Sequence, residues 1–423
     1  MEYYEITQEP EKALLISVDT GDFDADASIE ELTLLTESAG AQVIGSIIQR
    51  KSTPDGATYL GKGRLAEAEL FCHNQEIDLI VCDGELTPSQ IRNIENATKV
   101  RVVDRTQLIL DIFALRAKTS EGKLQVELAQ LKYSLPRLTG KGKELSRLGG
   151  GIGTRGPGET KLESDRRHIM RRMHALQEQL DEVEKRRGFL RKRREKDGVI
   201  TVALVGYTNA GKSTMMNQML SAYGGPEEKQ VMEKDMLFAT LETTVRNIKI
   251  DRNRQLLLSD TVGFINHLPH GLVKAFRSTL EEACEADLIL NVIDASDPHH
   301  KQHIQVTEET LKDLNVGDVP MIYIYNKADK CMTEKLPIIR GDDKIYLSAK
   351  SGEGLPELIE MIFKKLHSGH LEAEFLVPYT DGRAVSDIMQ NSNVYETSYE
   401  EGGTKLKVSC ELAIFQKYKN YIV

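Results

Sequence analysis

Long apolar runs are missing from this 423-residue sequence. None approaches the roughly 20 residues that a bilayer-spanning helix needs, and the opening Met1-Glu2-Tyr3-Tyr4-Glu5 has neither the basic nor the apolar region of a secretion signal. A cytoplasmic protein is expected. Cysteine is scarce as well: Cys72, Cys82, Cys284, Cys331 and Cys410 are scattered, with no C-x-x-C pair and no His/Cys cluster at metal spacing. That pattern excludes a disulfide scaffold or a zinc module and fits a reducing compartment. No G-x-G-x-x-G follows any of the early apolar runs, so a dinucleotide site has no support. The length allows roughly two to four domains, each with its own core.

A net positive charge is also lacking. The chain carries −10 overall, which speaks against a nucleic-acid partner for the whole protein, and no DNA is expected. The charge is unevenly spread, however. Residues 137–196 hold 18 Lys/Arg against 9 Asp/Glu, a local +9, which leaves −19 for the remainder. A basic segment on an acidic body suggests a polyanion contact confined to that segment. A solvated charged helix face is the plainer alternative.

What is present centres on Gly206-Tyr207-Thr208-Asn209-Ala210-Gly211-Lys212-Ser213-Thr214, a match to G-x-x-x-x-G-K-[ST]. The apolar, β-branched run Val199 to Val205 leads in and the helix-favouring Met215 to Leu220 leads out, so the glycines fall on a strand-to-helix turn. Backbone N–H groups there can cradle a β-phosphate, Lys212 can reach the β- and γ-phosphates, and Ser213 can ligate Mg²⁺. Leu256 to Leu258 precedes Asp260-Thr261-Val262-Gly263, a D-x-x-G in which Asp260 can hold Mg²⁺ through water and the Gly263 N–H can sense the γ-phosphate. Met321 to Tyr325 delivers Asn326-Lys327-Ala328-Asp329. The Asp329 carboxylate can accept from the N1–H and 2-amino group of guanine, which adenine lacks, and the Lys327 stem can lie along the base. Lys344 to Leu347 brings Ser348-Ala349-Lys350, whose N–H groups can meet guanine O6. Between the first two motifs lies Leu237-Phe238-Ala239-Thr240-Leu241-Glu242-Thr243-Thr244, where a threonine hydroxyl should complete the Mg²⁺ shell. Spacing does not separate Thr240, Thr243 and Thr244. Together these stretches are expected to form a GTP site that uses Mg²⁺, with each ligand loop at the carboxyl end of a strand of a doubly wound sheet.

Upstream, apolar runs at Ala13 to Val18, Ala41 to Ile48, Ile77 to Val81 and Val100 to Val103 alternate with helical patterns, which predicts a small parallel sheet with covering helices. Gly61-Lys62-Gly63-Arg64 reads as an ordinary basic turn. Leu124, Leu128, Leu131 and Leu135, then Leu162, Ile169, Met173, Leu176, Leu180 and Val183, trace the seam of two packed helices. An antiparallel helical hairpin follows. Its tip, Arg137 to Gly158, sets Gly149 to Gly158 among Lys141, Lys143, Arg147 and Arg155, which would contact RNA phosphates if the tip is not simply a flexible connection. Beyond Leu366 a strand, a helix, a hairpin about Gly402-Gly403 and a last helix predict a small α+β domain for docking. His299, His300 and His303 read as solvent-facing polar residues. The expected fold is multidomain α/β: an N-terminal α/β domain over 1–104, the helical hairpin over 105–197, a P-loop domain over 198–368 and the α+β domain over 369–423.

The set of motifs resembles the HflX family of GTPases. The resemblance is carried by Gly149 to Thr160, by Gly206 to Ser213, by Phe238-Ala239-Thr240-Leu241, and by Asp260 to Ile265 running into His267-Leu268-Pro269-His270. Glu242 and Thr243 depart from the Asp-Pro that the family's switch segment has at these places. The resemblance selects Thr240 as the Mg²⁺ threonine, places Lys212, Thr240 and Gly263 in catalysis, and implies a monomer that binds the large ribosomal subunit with its RNA, hydrolyses GTP there and, in several members, splits stalled or idle ribosomes. Phe264 follows Gly263 where many GTPases have the water-orienting glutamine, so slow intrinsic hydrolysis and completion by a partner are expected. Two readings of other classes compete: a GTP-controlled switch for a protein or membrane partner, and an RNA-binding protein with an incidental nucleotide domain.

Overall fold

The computed structural model describes residues 9–140, 157–196, 199–224, 237–238, 244–251, 254–266, 283–317, 319–332, 335–366, 371–410 and 412–423. The chain opens with β1 (Lys12–Asp19), α1 (Ala25–Ser38), β2 (Gln42–Arg50), α2 (Lys62–Gln75), β3 (Leu79–Cys82), α3 (Pro88–Thr98) and β4 (Arg101–Asp104). The strands pair in parallel in the order β2-β1-β3-β4. Both faces of β1 are covered, which is why KALLISVD reads as a continuous apolar run. Leu14, Ile16 and Val18 meet α2 and α3, whereas Ala13 and Leu15 face the other way. Helix starts follow local chemistry: Asp24 caps α1 through its carboxylate, and Thr87 and Gln90 form a reciprocal box at α3.

Helices α4 (Arg105–Arg116), α5 (Ser120–Ser134) and α6 (Pro157–Lys196) come next. The α5 and α6 pair runs antiparallel, since Glu127 meets Arg172 (2.6 Å) while the earlier Glu121 meets the later Arg187 (2.7 Å). Leu176 is fully buried in the seam and Ile169, Met173, Leu180 and Val183 are half-buried, as the seven-residue rhythm predicts. Lys141, Lys143, Arg147 and Arg155 lie outside the described residues.

A seven-stranded sheet follows, built from β5 (Thr201–Val205), β6 (Thr244–Lys249), β7 (Gln255–Asp260), β8 (Leu288–Asp294), β9 (Met321–Asn326), β10 (Ile338–Arg340) and β11 (Lys344–Tyr346), in the order β10-β11-β9-β8-β5-β7-β6. Helices α7 (Lys212–Tyr223), α8 (His300–Asp313) and α9 (Leu355–Leu366) cover it. Period-two alternation in β5 sends Val202 and Leu204 to a core with Met215, Met219 and Leu358, and sends Ala203 and Val205 to the opposite face. That opposite face shares one apolar cluster with Leu15, Leu108, Ile112 and Phe113 of the N-terminal unit. The edge strands β6 and β10 are antiparallel and do not follow from the sequence pattern. Thr244, one of the three candidate metal threonines, stands in β6 opposite Asp260.

The chain ends in a three-stranded antiparallel sheet of β12 (Leu371–Val377), β13 (Ser392–Glu400) and β14 (Gly403–Cys410), with α10 (Gly382–Gln390) and α11 (Leu412–Lys417). Phe375, Ile388, Leu406 and Val408 form its core. Among the described residues no helix is long and apolar enough to cross a membrane.

Candidate functional site

The phosphate loop leaves β5 at Gly206, whose φ is +140° and where a Cβ would stand 2.2 Å from the Val292 carbonyl oxygen, so only glycine fits. The loop ends as α7 begins at Lys212. The Lys212 ammonium donates to the carbonyls of Gly206 (3.0 Å) and Tyr207 (2.8 Å), which holds it over the rim of the loop. Burial pushes its pKa down to about 8 against the opposing pull of Asp260. The Ser213 hydroxyl donates to Asp260 Oδ2 at 2.8 Å. A hydroxyl and a carboxylate at this spacing are the hard oxygen donors that suit Mg²⁺, an ion that commonly takes only one or two protein ligands beside phosphate and water. Among the described residues no group of three or more His, Cys, Asp or Glu gathers into a metal site.

The D-x-x-G loop is laced to the phosphate loop. Thr208 N donates to the Phe264 carbonyl (2.8 Å) and Phe264 N to that of Gly206 (3.1 Å), while the Thr261 hydroxyl donates to Leu204 O (2.7 Å). The Phe264 ring is 2% exposed and packs in the apolar cluster with Phe238, Val262 and Ile265. It is committed to the core and offers a water nothing.

The base loops join from the other side. Asn326 donates to Ala210 O (2.9 Å) and accepts from Ala349 N (2.8 Å), tying the phosphate loop, N-K-x-D and Ser348-Ala349-Lys350 together. Ala349 N–H, one of the groups expected at guanine O6, is thus engaged by Asn326 in this state. Lys327 donates to Asn209 O (2.8 Å) and Asp294 (2.7 Å), and Asp329 is exposed on the turn Ala328–Lys330. All four loops gather at the carboxyl edge of the sheet, after β5, β7, β9 and β11. Phe238 is described, with a left-handed φ of +55° and its ring edge-on to Phe113 at 4.7 Å. Ala239, Thr240, Leu241 and Glu242 lie outside the described residues.

Two features escaped sequence reasoning. The Tyr207 hydroxyl leaves the nucleotide edge altogether: it donates to Glu31 of α1 and accepts from Asn266 N (2.8 Å). Glu31 in turn meets Arg105, which also donates to Asp83 (2.7 Å) and to Asn266 O (3.1 Å), and Asp83 accepts from Ser17 and Ser28. A tyrosine in the loop, which phosphate cradling does not require, was the one available signal. The second feature is a correction. His303 is not solvent-facing: its side chain is 15% exposed and stacks on the Tyr207 ring at 3.7 Å. Burial lowers its pKa, offset in part by Asp297.

Family models match three consecutive parts of the chain: "GTP-binding GTPase N-terminal" at residues 26–114, "GTP-binding GTPase Middle Region" at 116–194 and "50S ribosome-binding GTPase" at 201–327. A GTPase HflX from Caldanaerobacter subterraneus subsp. tengcongensis is 46% identical over 99% of this chain and 95% of its own length. A GTPase HflX from Escherichia coli is 39% identical over 93% and 92%. Among solved structures, a GTP-binding protein from Sulfolobus solfataricus in complex with GDP aligns at a TM-score of 0.45 and 25% identity, covering 84% of this chain and 98% of that one. Four laced nucleotide loops, together with relatives of this identity over nearly the whole length, show that the chain belongs to the HflX family and is a GTPase.

Proposed function

We propose that this GTPase acts on the large ribosomal subunit, contacting ribosomal RNA through the basic segment of its helical hairpin, being stimulated there, and separating stalled or idle ribosomes. The description "50S ribosome-binding GTPase" for the model matching residues 201–327 supports the partner. The observation that carries the reading is the helical pair itself. Leu176, with the half-buried Ile169, Met173, Leu180 and Val183, is spent in the α5/α6 seam, while Arg166, Arg167 and Arg171 stand exposed along α6 beside the exposed Met170 and Phe189. A surface dominated by arginine, with only scattered apolar side chains, suits RNA phosphates better than a membrane.

In the chemistry, Lys212 holds the β- and γ-phosphates, the Gly263 N–H meets the γ-phosphate, and Asn326, Lys327 and Asp329 hold the base. Ser213 and Asp260, with Thr240, would hold Mg²⁺, which when bound neutralises charge developing on the phosphate oxygens. With Phe264 in the core, intrinsic hydrolysis is slow and a partner accelerates it by roughly 10³–10⁵-fold. Sedimentation with purified large subunits, with hydrolysis measured in the same tubes, tests the reading. Failure to co-sediment in the GTP state, with no stimulation, would overturn it in favour of a switch for another partner.

A further inference from the structure

We propose that the Thr208 hydroxyl is a catalytic group that orients the attacking water, the task the buried Phe264 cannot perform. Thr208 is the third residue of the phosphate loop, and its side chain stands against Gly263. A Cβ added to Gly263 would lie 2.7 Å from Thr208 Cγ2, 2.9 Å from its Cα and 3.0 Å from Lys212 Nζ. The Thr208 methyl, the α-carbon of Gly263 and the Lys212 ammonium therefore crowd one point. The close approach also explains why residue 263 is a glycine.

The hydroxyl itself is buried without a hydrogen-bond partner. The other hydroxyls around the loop are spent: Thr261 donates to Leu204 O, Ser213 to Asp260 and Tyr207 to Glu31. Leaving a buried hydroxyl unsatisfied is destabilising, a cost that valine, of nearly the same shape, would not carry. A threonine in this position is explained by a partner that arrives with the substrate. Rotation between staggered χ1 positions sets either the methyl or the hydroxyl toward Gly263, so no backbone movement is required. Thr208 also lines a cleft of about 510 Å³ shared with Asn291, whose buried amide likewise has no partner.

A hydroxyl has one donor and two acceptor sites, so it can accept from the water and donate to a γ-phosphate oxygen at once. The water oxygen bonds to the γ-phosphorus, and the bond from that phosphorus to the bridging oxygen breaks. Its electron pair stays on GDP, and one water proton passes to the departing phosphate. Thr208 keeps its own proton throughout.

The test compares Thr208→Val and Thr208→Ser with the parent full-length chain, in single-turnover GTP hydrolysis, GDP affinity and thermal midpoint. Valine is expected to slow hydrolysis by roughly 10²-fold, with GDP affinity unchanged and the midpoint equal or higher. Serine is expected to restore most of the rate. A valine variant hydrolysing at the parental rate overturns the proposal. So does a serine variant as slow as valine, which would assign the role to the methyl group, and so does a valine variant that loses stability or GDP affinity in step with rate, which would make the hydroxyl structural. The parent's own rate in the same series separates failure of this role from failure of the GTPase activity.

Discussion

The hydroxyl of Tyr207, in the phosphate loop, donates to the carboxylate of Glu31 on the first helix of the N-terminal unit, 176 residues away in sequence. Beyond it, Arg105 is shared between Glu31 and Asp83, so one buried guanidinium serves two buried carboxylates. Burial outweighs the pull of Arg105 and holds the Glu31 pKa above its usual 4.5.

The sign of the resulting pH dependence is fixed. A carboxyl whose folded pKa is raised contributes stability below its unfolded pKa and loses it as pH climbs through the folded value. Glu31→Gln has no such titration. As pH rises from the ordinary carboxylate range through the raised folded value, the thermal midpoint of the parent should fall relative to that of Glu31→Gln. Parallel midpoint curves for the two proteins would show that Glu31 does not titrate in the fold. Tyr207→Phe, which removes one hydrogen-bond partner each from Glu31 and the Asn266 N–H, should cost about 1 kcal/mol in denaturant unfolding at neutral pH.

Lys212 makes a second prediction. In the free chain its pKa is lowered to about 8 by burial, and phosphates beside it must raise that value. Nucleotide binding at pH 8 should therefore take up roughly half a proton per site. Calorimetric titration in two buffers of different ionisation enthalpy reads this directly, and buffer-independent heats would refute it.

The proposed base selection by Asp329 can be tested directly. Asp329→Asn exchanges a pure acceptor for an amide that also donates, which should weaken GTP and favour xanthosine triphosphate, whose 2-oxo group accepts. Competition binding with the two nucleotides measures the change. Equal GTP affinity in variant and parent would remove Asp329 from the base site.

Charge physics tests the hairpin tip. If Lys141, Lys143, Arg147 and Arg155 contact RNA phosphates, removing all four should flatten the dependence of log K on log salt by roughly three units in large-subunit binding, because each phosphate contact adds about −0.7 to −0.9. GTP binding by the isolated protein should not change. An unaltered slope with unaltered affinity would return the tip to a connecting role.

The nucleotide edge was legible because each loop is a short local motif on a strand end: Lys212, Asp260, Asn326 and Ser348 all stand where their motifs predict. The N-terminal strands were legible as continuous apolar runs, and the helical seam as a seven-residue rhythm. Strand β6 was hidden because Thr244 to Lys249 alternates polar residues at an exposed edge beside a segment read as a switch. The Glu31–Tyr207 tie and the stacking of His303 were hidden for a different reason. Both join residues far apart in sequence, and a lone acid on a helix gives no sign of which tyrosine it will meet.

Helix α6 has a mechanical meaning. Its 40 residues make a rod of about 60 Å. It ends at Lys196, and β5, the strand that carries the phosphate loop, begins at Thr201. A rod that leads into the amino end of the strand carrying the phosphate loop would work as a lever. Tilting its base by about 5° would swing its far end through roughly 5 Å, so a small rotation where the helix meets the sheet would become a large displacement at the tip, and a push on the tip would return as torque on the strand that leads to the phosphate loop.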